Sequence, residues 1–90
     1  MVDKDVEFSD EANLDFHKAQ CFMDFNGKLE EFWLDIDRQI ELMKEFPLAF
    51  QIRYKNVRII PLENFNYSIH YIAKSKGILV YRFLNQSQNF

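Results

Sequence analysis

The 90-residue sequence contains little glycine, proline or cysteine, with two Gly, two Pro and one Cys. So few glycines exclude the glycine-rich loops that bind nucleotide phosphates, and so few prolines exclude a long interdomain linker. Cys21 cannot form a disulfide within the chain, which favours a reducing compartment. No apolar run approaches the roughly 18 residues of a membrane span, and residues 1–8 lack the features of a secretory signal. We therefore expect a cytoplasmic protein with no membrane partner.

Groups able to catalyse reactions or to bind metals are also sparse. The two histidines, His17 and His70, form with Cys21 and the acidic residues no spacing typical of a metal site. We expect His17 on a helix surface, His70 as a hydrogen-bonded residue within a strand, and Cys21 as an inert thiol. A solvated helix face is the expected position of the acidic residues Glu30, Glu31, Asp35 and Asp37. The sequence thus predicts no cofactor, no metal and no small-molecule substrate.

Aromatic residues and charged residues, in contrast, are abundant. Ten Phe, four Tyr and one Trp fill the core of a small protein at low entropic cost, and we expect one domain over residues 1–90. Residues 1–45 contain five Lys/Arg and thirteen Asp/Glu, whereas residues 46–90 contain six and one, so the two halves have net charges of −8 and +5. The basic half can steer an acidic partner. Acidic helices that only keep the fold soluble would explain the same division.

Two amphipathic helices are predicted in the acidic half. Alternating apolar residues predict a short strand over 4–8, after which Ser9 has the side chain of a helix N-cap. The first helix is expected to end near Asn26-Gly27, a typical C-terminal stop. The second spans about 28–45, and its apolar residues recur every three or four positions at Leu29, Phe32, Trp33, Ile36, Ile40 and Met43. The short connection predicts an antiparallel helical hairpin.

The basic half predicts four strands, at about 50–54, 57–62, 66–73 and 77–84. Lys55-Asn56 is expected to form a two-residue turn with Asn56 in the left-handed conformation, and Gly77 to close the hairpin that begins at Lys74. Pro61 is expected at a strand end, a sheet edge or a bulge. The element order β-α-α-β-β-β-β predicts an α+β fold with a helical hairpin packed on one face of a mostly antiparallel sheet.

The last strand indicates where a partner could bind. Strict alternation places Leu79, Tyr81 and Phe83 on one face and Val80, Arg82 and Leu84 on the other. If the first set packs against the helices, Arg82 emerges on the open face, and Arg58 could do so from its own strand. The candidate partner-binding residues are Arg53, Lys55, Arg58, Arg82, Asn85 and Gln86. The alternative is that these are solvated side chains that only discourage edge-to-edge aggregation.

A family resemblance extends over nearly the whole chain and is carried by an ordered set of segments. These are SDEANLDFHKAQCFMDF, LEEFWLDIDRQIELMKEFPLAF, RYKNVR, FNYSIHYI and FLNQSQNF. The set resembles the RelE/ParE toxin superfamily, and most closely its ParE-like, plasmid-stabilisation branch. The resemblance implies a two-layer fold with sheet order 1-5-4-3-2, in a bacterial toxin of a type II toxin–antitoxin pair. An acidic antitoxin segment would then mask the toxin, and an edge strand near 50–54 could accept it by strand addition.

The resemblance also bears on the target. ParE-like members poison DNA gyrase by protein contact and catalyse no reaction, whereas RelE-like members cut messenger RNA on the ribosome. Such cutting needs a base, an acid and cations that stabilise the phosphorane. Arg58 keeps one basic position of the RelE-like set, but the others are occupied by Ile60, Ser68 and the neutral run Gln86-Ser87-Gln88. The resemblance therefore implies a gyrase-binding toxin, with the ribosome-dependent endonuclease as the alternative.

Departures from the ParE-like pattern leave a third interpretation open. A basic pair that is common in that branch is replaced by Glu63-Asn64, and a proline is replaced by Asn66. A common histidine position holds Asn85, and a common arginine position holds Gln88. The chain could therefore be a degenerate, non-toxic module that still binds its antitoxin.

Overall fold

The computed structural model describes residues 5–86, and the predictions for Lys4, Ser87 and Gln88 lie outside the described residues. Its elements are β1 (Asp5–Phe8), α1 (Asp10–Phe25), α2 (Leu29–Glu45), β2 (Ile52–Tyr54), β3 (Val57–Pro61), β4 (Tyr67–Ala73) and β5 (Gly77–Asn85). The predicted element order β-α-α-β-β-β-β is confirmed. Among the described helices, neither is long and apolar enough to cross a membrane.

The predicted ends of α1 are confirmed by local hydrogen bonds and backbone conformation. The Ser9 hydroxyl oxygen accepts from the backbone N–H of Ala12 at 3.0 Å, which satisfies one of the free donors of the first turn. The same hydroxyl donates to the Tyr81 carbonyl oxygen at 2.7 Å. At the other end, Gly27 has a φ of 71°, a left-handed conformation that costs glycine no steric strain. A single serine thus caps α1 and attaches it to β5.

The five strands form one sheet in the order β1-β5-β4-β3-β2, as the resemblance implies. β1 pairs with β5 in parallel, and all other neighbouring strands are antiparallel. β1 approaches β5 so closely that a Cβ atom at Gly77 would lie 2.7 Å from the Asp5 carbonyl oxygen. Gly77 has no positive φ. Glycine is therefore required there by contact between two strands, rather than by the turn as predicted.

The turn between β2 and β3 also differs from its prediction. Lys55 has the positive φ, at 42°, and Asn56 does not. Tyr54 pairs with Val57, so Lys55 is the first central residue of the turn. Hairpin turns of the primed types need a positive φ at that position. The prediction that Asn56 adopts the left-handed conformation is therefore wrong.

Aromatic residues from both layers meet around Phe83 of β5. The Phe83 ring stacks on Phe16 of α1, with centroids 4.2 Å apart, and on Tyr67 of β4, with centroids 5.0 Å apart. Phe32 of α2 approaches the same ring edge-on at 5.9 Å. Such contacts contribute about 0.5–1.5 kcal/mol each beyond the burial of apolar area. Both helices therefore pack on the same face of the sheet.

One aspartate lies inside this core instead of on the expected solvated face. Asp35 is 1% exposed, and its two carboxylate oxygens accept the backbone N–H groups of Glu63 and Asn64 at 3.2 and 2.7 Å. Gln39 also donates to the Asp35 carboxylate, at 3.5 Å. The prediction for Asp35 is wrong because a carboxylate can be buried when it satisfies buried donors. Asp37, two residues later, is exposed as expected.

β5 contains a bulge that changes the phase of its alternation. Tyr71 pairs with Val80 and His70 pairs with Arg82, which leaves Tyr81 as an extra residue. As a result, the core residues contributed by this strand are Ile78, Val80 and Phe83. The prediction that Leu79, Tyr81 and Phe83 share one face, with Val80 on the other, is wrong. The α1 region stabilises the bulge, since Ser9 binds the Tyr81 carbonyl group.

Candidate partner-binding surface

Both helices pack on one face of the sheet, and we call the opposite face the open face. Ile69 and Tyr71 of β4 belong to the helix-side core, so alternation places Ser68 and His70 on the opposite side. Their partners in β3 are Pro61, opposite Ser68, and Ile59, opposite His70. Residues directly opposite in an antiparallel pair share a face. The open face is thus defined by Ile59, Pro61, Ser68 and His70.

His70 lies at the centre of the open face and is completely buried. Its Nδ1 shares a hydrogen bond of 2.8 Å with the Tyr54 hydroxyl of β2. Burial, followed by the positive charge of Arg82, lowers the pKa of His70 from 6.5 to about 4, although Asp15 opposes this shift. The imidazole is therefore neutral at pH 7 and inaccessible to a ligand. The prediction of a hydrogen-bonded structural histidine is confirmed.

Arg82 turns from its position opposite His70 towards α1. Its Nε and Nη2 donate to the two carboxylate oxygens of Asp15, at 2.7 and 3.2 Å. The Phe83 backbone N–H also donates to Asp15, at 3.0 Å, and Glu11 lies 3.8 Å from the guanidinium. The hydrogen bond to Asp15 is the main reason that the pKa of Arg82 is raised. Arg82 is therefore occupied by an internal ion pair that holds α1 against β5.

Arg58 lies on the helix side of the sheet, not on the open face. It is opposite Tyr71, whose side chain is in the core. Its Nη1 donates to the Phe50 carbonyl oxygen at 2.6 Å, while the Tyr71 hydroxyl donates to the Pro47 carbonyl oxygen at 2.7 Å. Both side chains thus hold the connection between α2 and β2. The expectation that Arg58 emerges on the open face is wrong, because this connection needs donors for its carbonyl groups.

Two candidate residues, Arg53 and Gln86, come together on the open face. They line a shallow depression of about 240 Å³ with Ile59, Pro61 and Ser68, which we call the open-face groove. Gln86 is held at its rim by two hydrogen bonds, from its backbone N–H to Asn66 and from its carboxamide to the Tyr67 carbonyl. The groove therefore presents a cation, a hydroxyl and a carboxamide around an apolar floor.

The remaining candidates lie apart from this groove. Lys55 is exposed at the tip of the β2–β3 hairpin. Asn85 pairs with Tyr67 and accepts a hydrogen bond from the Asn66 carboxamide at 3.1 Å. It lines a different cleft, of about 460 Å³, between α1 and β5, where Asp15, Lys18 and Arg82 are also found. The six predicted residues thus do not form one continuous cluster.

Sequence reasoning missed the two aspartates that bind backbone groups of the sheet half. Asp15 lies three residues after Ala12 and four before Ala19, both of which are buried. Asp35 has the same relation to Phe32 and Gln39. The helical period of each buried stripe could have identified both positions. In the sequence, Ser68 is distinguished only by replacing an arginine of the RelE-like set, and nothing there indicates its burial.

Comparison with known proteins gives a likeness of fold. No family model and no curated protein sequence matches the chain significantly. Among solved structures, a chain of the chromosomal ParDE TA system from P. aeruginosa matches with a TM-score of 0.73 and 18% sequence identity. The match covers 91% of this chain and 95% of that chain. Nine solved chains match significantly in total.

The match covers nearly the whole of both chains, so the likeness extends over both layers of the fold. The predicted two-layer fold, with its helical hairpin and sheet order 1-5-4-3-2, is confirmed. The predicted resemblance to ParE-like proteins is confirmed at the level of the fold. At 18% identity, the likeness concerns the backbone and does not transfer individual side chains.

Proposed function

We propose that this protein is the toxin of a type II toxin–antitoxin pair, acts by binding DNA gyrase, and is neutralised by a cognate antitoxin. The observation that carries the proposal is the match over 91% of the chain to a protein of a ParDE system. The resemblance of the ordered sequence segments to ParE-like proteins also supports it. The working surface in this proposal is the open face and its flanking hairpin, with Arg53, Lys55 and Gln86.

The open face favours protein contact over catalysis. In nuclease chemistry, a base and several cations must reach the same phosphate. Here His70 is buried and neutral, Arg58 binds backbone carbonyl groups on the helix side, and Arg82 is paired with Asp15. These interactions leave Arg53 as the cation at the groove. A ribosome-dependent endonuclease is therefore the weaker alternative.

A gyrase assay tests the proposal directly. Purified protein is added to gyrase and relaxed plasmid, and both supercoiling and trapped, cleaved DNA are measured. We expect loss of supercoiling together with linear DNA, because a poison stabilises the cleaved intermediate. A matched pair of charge reversals, Arg53→Glu on the open face and Lys76→Glu at the β4–β5 turn, checks the surface. We expect only Arg53→Glu to weaken inhibition.

The alternatives have separate readouts. Ribosome-bound messenger RNA that is cleaved by the protein, with gyrase unaffected, would replace the proposal by the endonuclease. A folded protein without either activity that still binds the product of an adjacent antitoxin gene would support the degenerate, non-toxic module. If both charge-reversed variants inhibit gyrase equally, gyrase would remain the proposed target, but the open face would be excluded as the surface that binds it.

A further inference from the structure

The open-face groove contains a buried polar group that the fold itself does not use. Ser68 is 5% exposed and lies opposite Pro61 on the groove floor. Its hydroxyl makes no hydrogen bond to any of residues 5–86. Although the residue is buried as a whole, its hydroxyl oxygen is not an enclosed atom without a partner, and it reaches solvent in the groove. The Ser68 hydroxyl is therefore a donor that a ligand in the groove could bind in place of water.

Arg53 provides a second unused donor at the same groove. Its side chain is exposed, and within the described part of the chain it forms neither an ion pair nor a hydrogen bond. Arg58 and Arg82 differ from it, because both are occupied by groups of this protein. The guanidinium carries five N–H donors in a planar fork that suits a carboxylate.

We propose that the open-face groove binds the carboxylate of an Asp or Glu side chain on a protein partner. Arg53 binds the carboxylate through its N–H fork, and the Ser68 hydroxyl donates a further hydrogen bond. Ile59 and Pro61 contact the methylene groups of the ligand side chain, and Gln86 borders the site. Hydrogen bonds to a charged acceptor are stronger than neutral ones, so this arrangement selects a carboxylate over an amide.

The charge of the groove favours an acidic protein segment over a nucleic acid. Binding to a phosphate backbone usually depends on several Lys or Arg side chains that together replace counterions. Arg53 is the cation that lines this groove, and the whole chain has a net charge of −3. A single carboxylate needs only one such cation. The inference concerns the chemistry of the ligand and does not depend on gyrase being the target.

Peptide titration followed by NMR tests this site without any assumption about the target. The probes are acetyl-Ala-Val-Glu-Val-Ala-amide and the same peptide with Gln in place of Glu, each added to ¹⁵N-labelled protein. We expect shifts of the amide signals of Arg53, Ile59, Ser68 and Gln86, and about tenfold weaker binding of the Gln peptide. Arg53→Gln and Ser68→Ala should each weaken binding of the Glu peptide at least fivefold, on the order expected for a charge-assisted hydrogen bond. Lys76→Gln, which removes a charge elsewhere, should not.

Three outcomes would overturn the proposal. One is the absence of amide shifts at the groove with the Glu peptide, and another is equal binding of the Glu and Gln peptides. The third is tighter binding of single-stranded hexauridine than of the Glu peptide at the same residues, which would indicate a phosphate site. Since Ser68→Ala removes a hydroxyl without an internal partner, the variant should fold normally. A gyrase poison that fails the peptide test would exclude this site and leave the proposed function in place.

Discussion

The two faces of the sheet use their polar side chains in different ways. On the helix side, Arg58 and Asp35 bind backbone groups of adjacent connections, and each has a specific partner within 3.2 Å. On the open face, Arg53 and Ser68 have no hydrogen-bond partner among the described residues. The helix side therefore derives stability from its polar groups, whereas the groove on the open face keeps donors available. A binding surface needs available donors, because its polar groups must exchange bound water for a partner.

The difference between the two faces also explains why little of the positive charge in the second half of the sequence is available to a partner. A net charge of +5 over residues 46–90 predicts a broad cationic surface. Arg58 and Arg82 contribute to this net charge. However, Arg58 donates to a backbone carbonyl group, and Arg82 forms an ion pair with Asp15 of the acidic half. The effective cationic surface is smaller than the sequence suggests. Binding is therefore expected to depend on few side chains.

Replacing Asp35 by alanine should produce the largest change in stability. The substitution leaves the backbone N–H groups of Glu63 and Asn64 without their acceptor and opens a space inside the core. We expect the free energy of unfolding to fall by about 3 kcal/mol, because unsatisfied buried donors are costly. Urea denaturation measures the change. Asp37→Ala, on the exposed side of the same helix, should change it by less than about 0.5 kcal/mol.

Equal effects of the two aspartate variants would contradict the assignment of Asp35 to the core. A loss confined to Asp35→Ala would confirm that α2 supports the β3–β4 connection through this carboxylate. In that case Asp35→Asn should recover part of the stability, since an amide oxygen can still accept one of the two N–H groups.

Arg82 and Arg53 allow the next comparison of stability, because the first has an internal partner and the second has none within the described part of the chain. Arg82→Met removes the guanidinium that pairs with Asp15, whose side chain is only 12% exposed. We expect a loss of about 2 kcal/mol, because a largely buried carboxylate loses its counter-ion. Arg53→Met should change stability by less than about 0.5 kcal/mol, since Arg53 has no partner among residues 5–86.

A double-mutant cycle separates the ion pair from general packing. If Arg82 acts through Asp15, Arg82→Met should cost much less in an Asp15→Asn background than in the wild-type protein. Additive losses would show that Arg82 stabilises the protein through its aliphatic stem instead. A large loss of stability in Arg53→Met would contradict the proposed difference between the two faces, because Arg53 would then also stabilise the fold.

The sequence predicted elements well where the signal was local. Ser9, Asn26 and Gly27 marked the ends of α1 because caps depend on a few adjacent residues, and the observed bonds agree. The turn residues were harder. The positive φ falls on Lys55, which follows from the strand register, and Gly77 is required by its contact with β1. Register and strand contact are tertiary properties that local propensity does not contain.

The candidate site was predicted less well for the same reason. Alternation along β5 fails at Tyr81, where the strand has a bulge. The Tyr81 carbonyl group is bound by Ser9, the N-cap of α1, which is 72 residues away in the sequence. Arg58 and Arg82 were chosen for their charge, but charge alone does not show whether a cation already has a partner. Arg53 and Gln86 were identified in the sequence, and the structure brings them together with Ser68.

The pH dependence of stability gives the smallest expected effect and concerns His70 on the open face. His70 has a pKa of about 4 in the folded protein and an ordinary value of 6.5, so below pH 6.5 the unfolded chain binds more protons than the folded one. Stability should therefore fall as the pH decreases from 7 to 5.5, by about 1 kcal/mol. Urea denaturation across this range measures the slope. His70→Asn should remove most of it, whereas His17→Asn, on the exposed side of α1, should leave it unchanged. An unchanged slope in His70→Asn would show that the protonation of other groups, and not that of His70, destabilises the fold in this range.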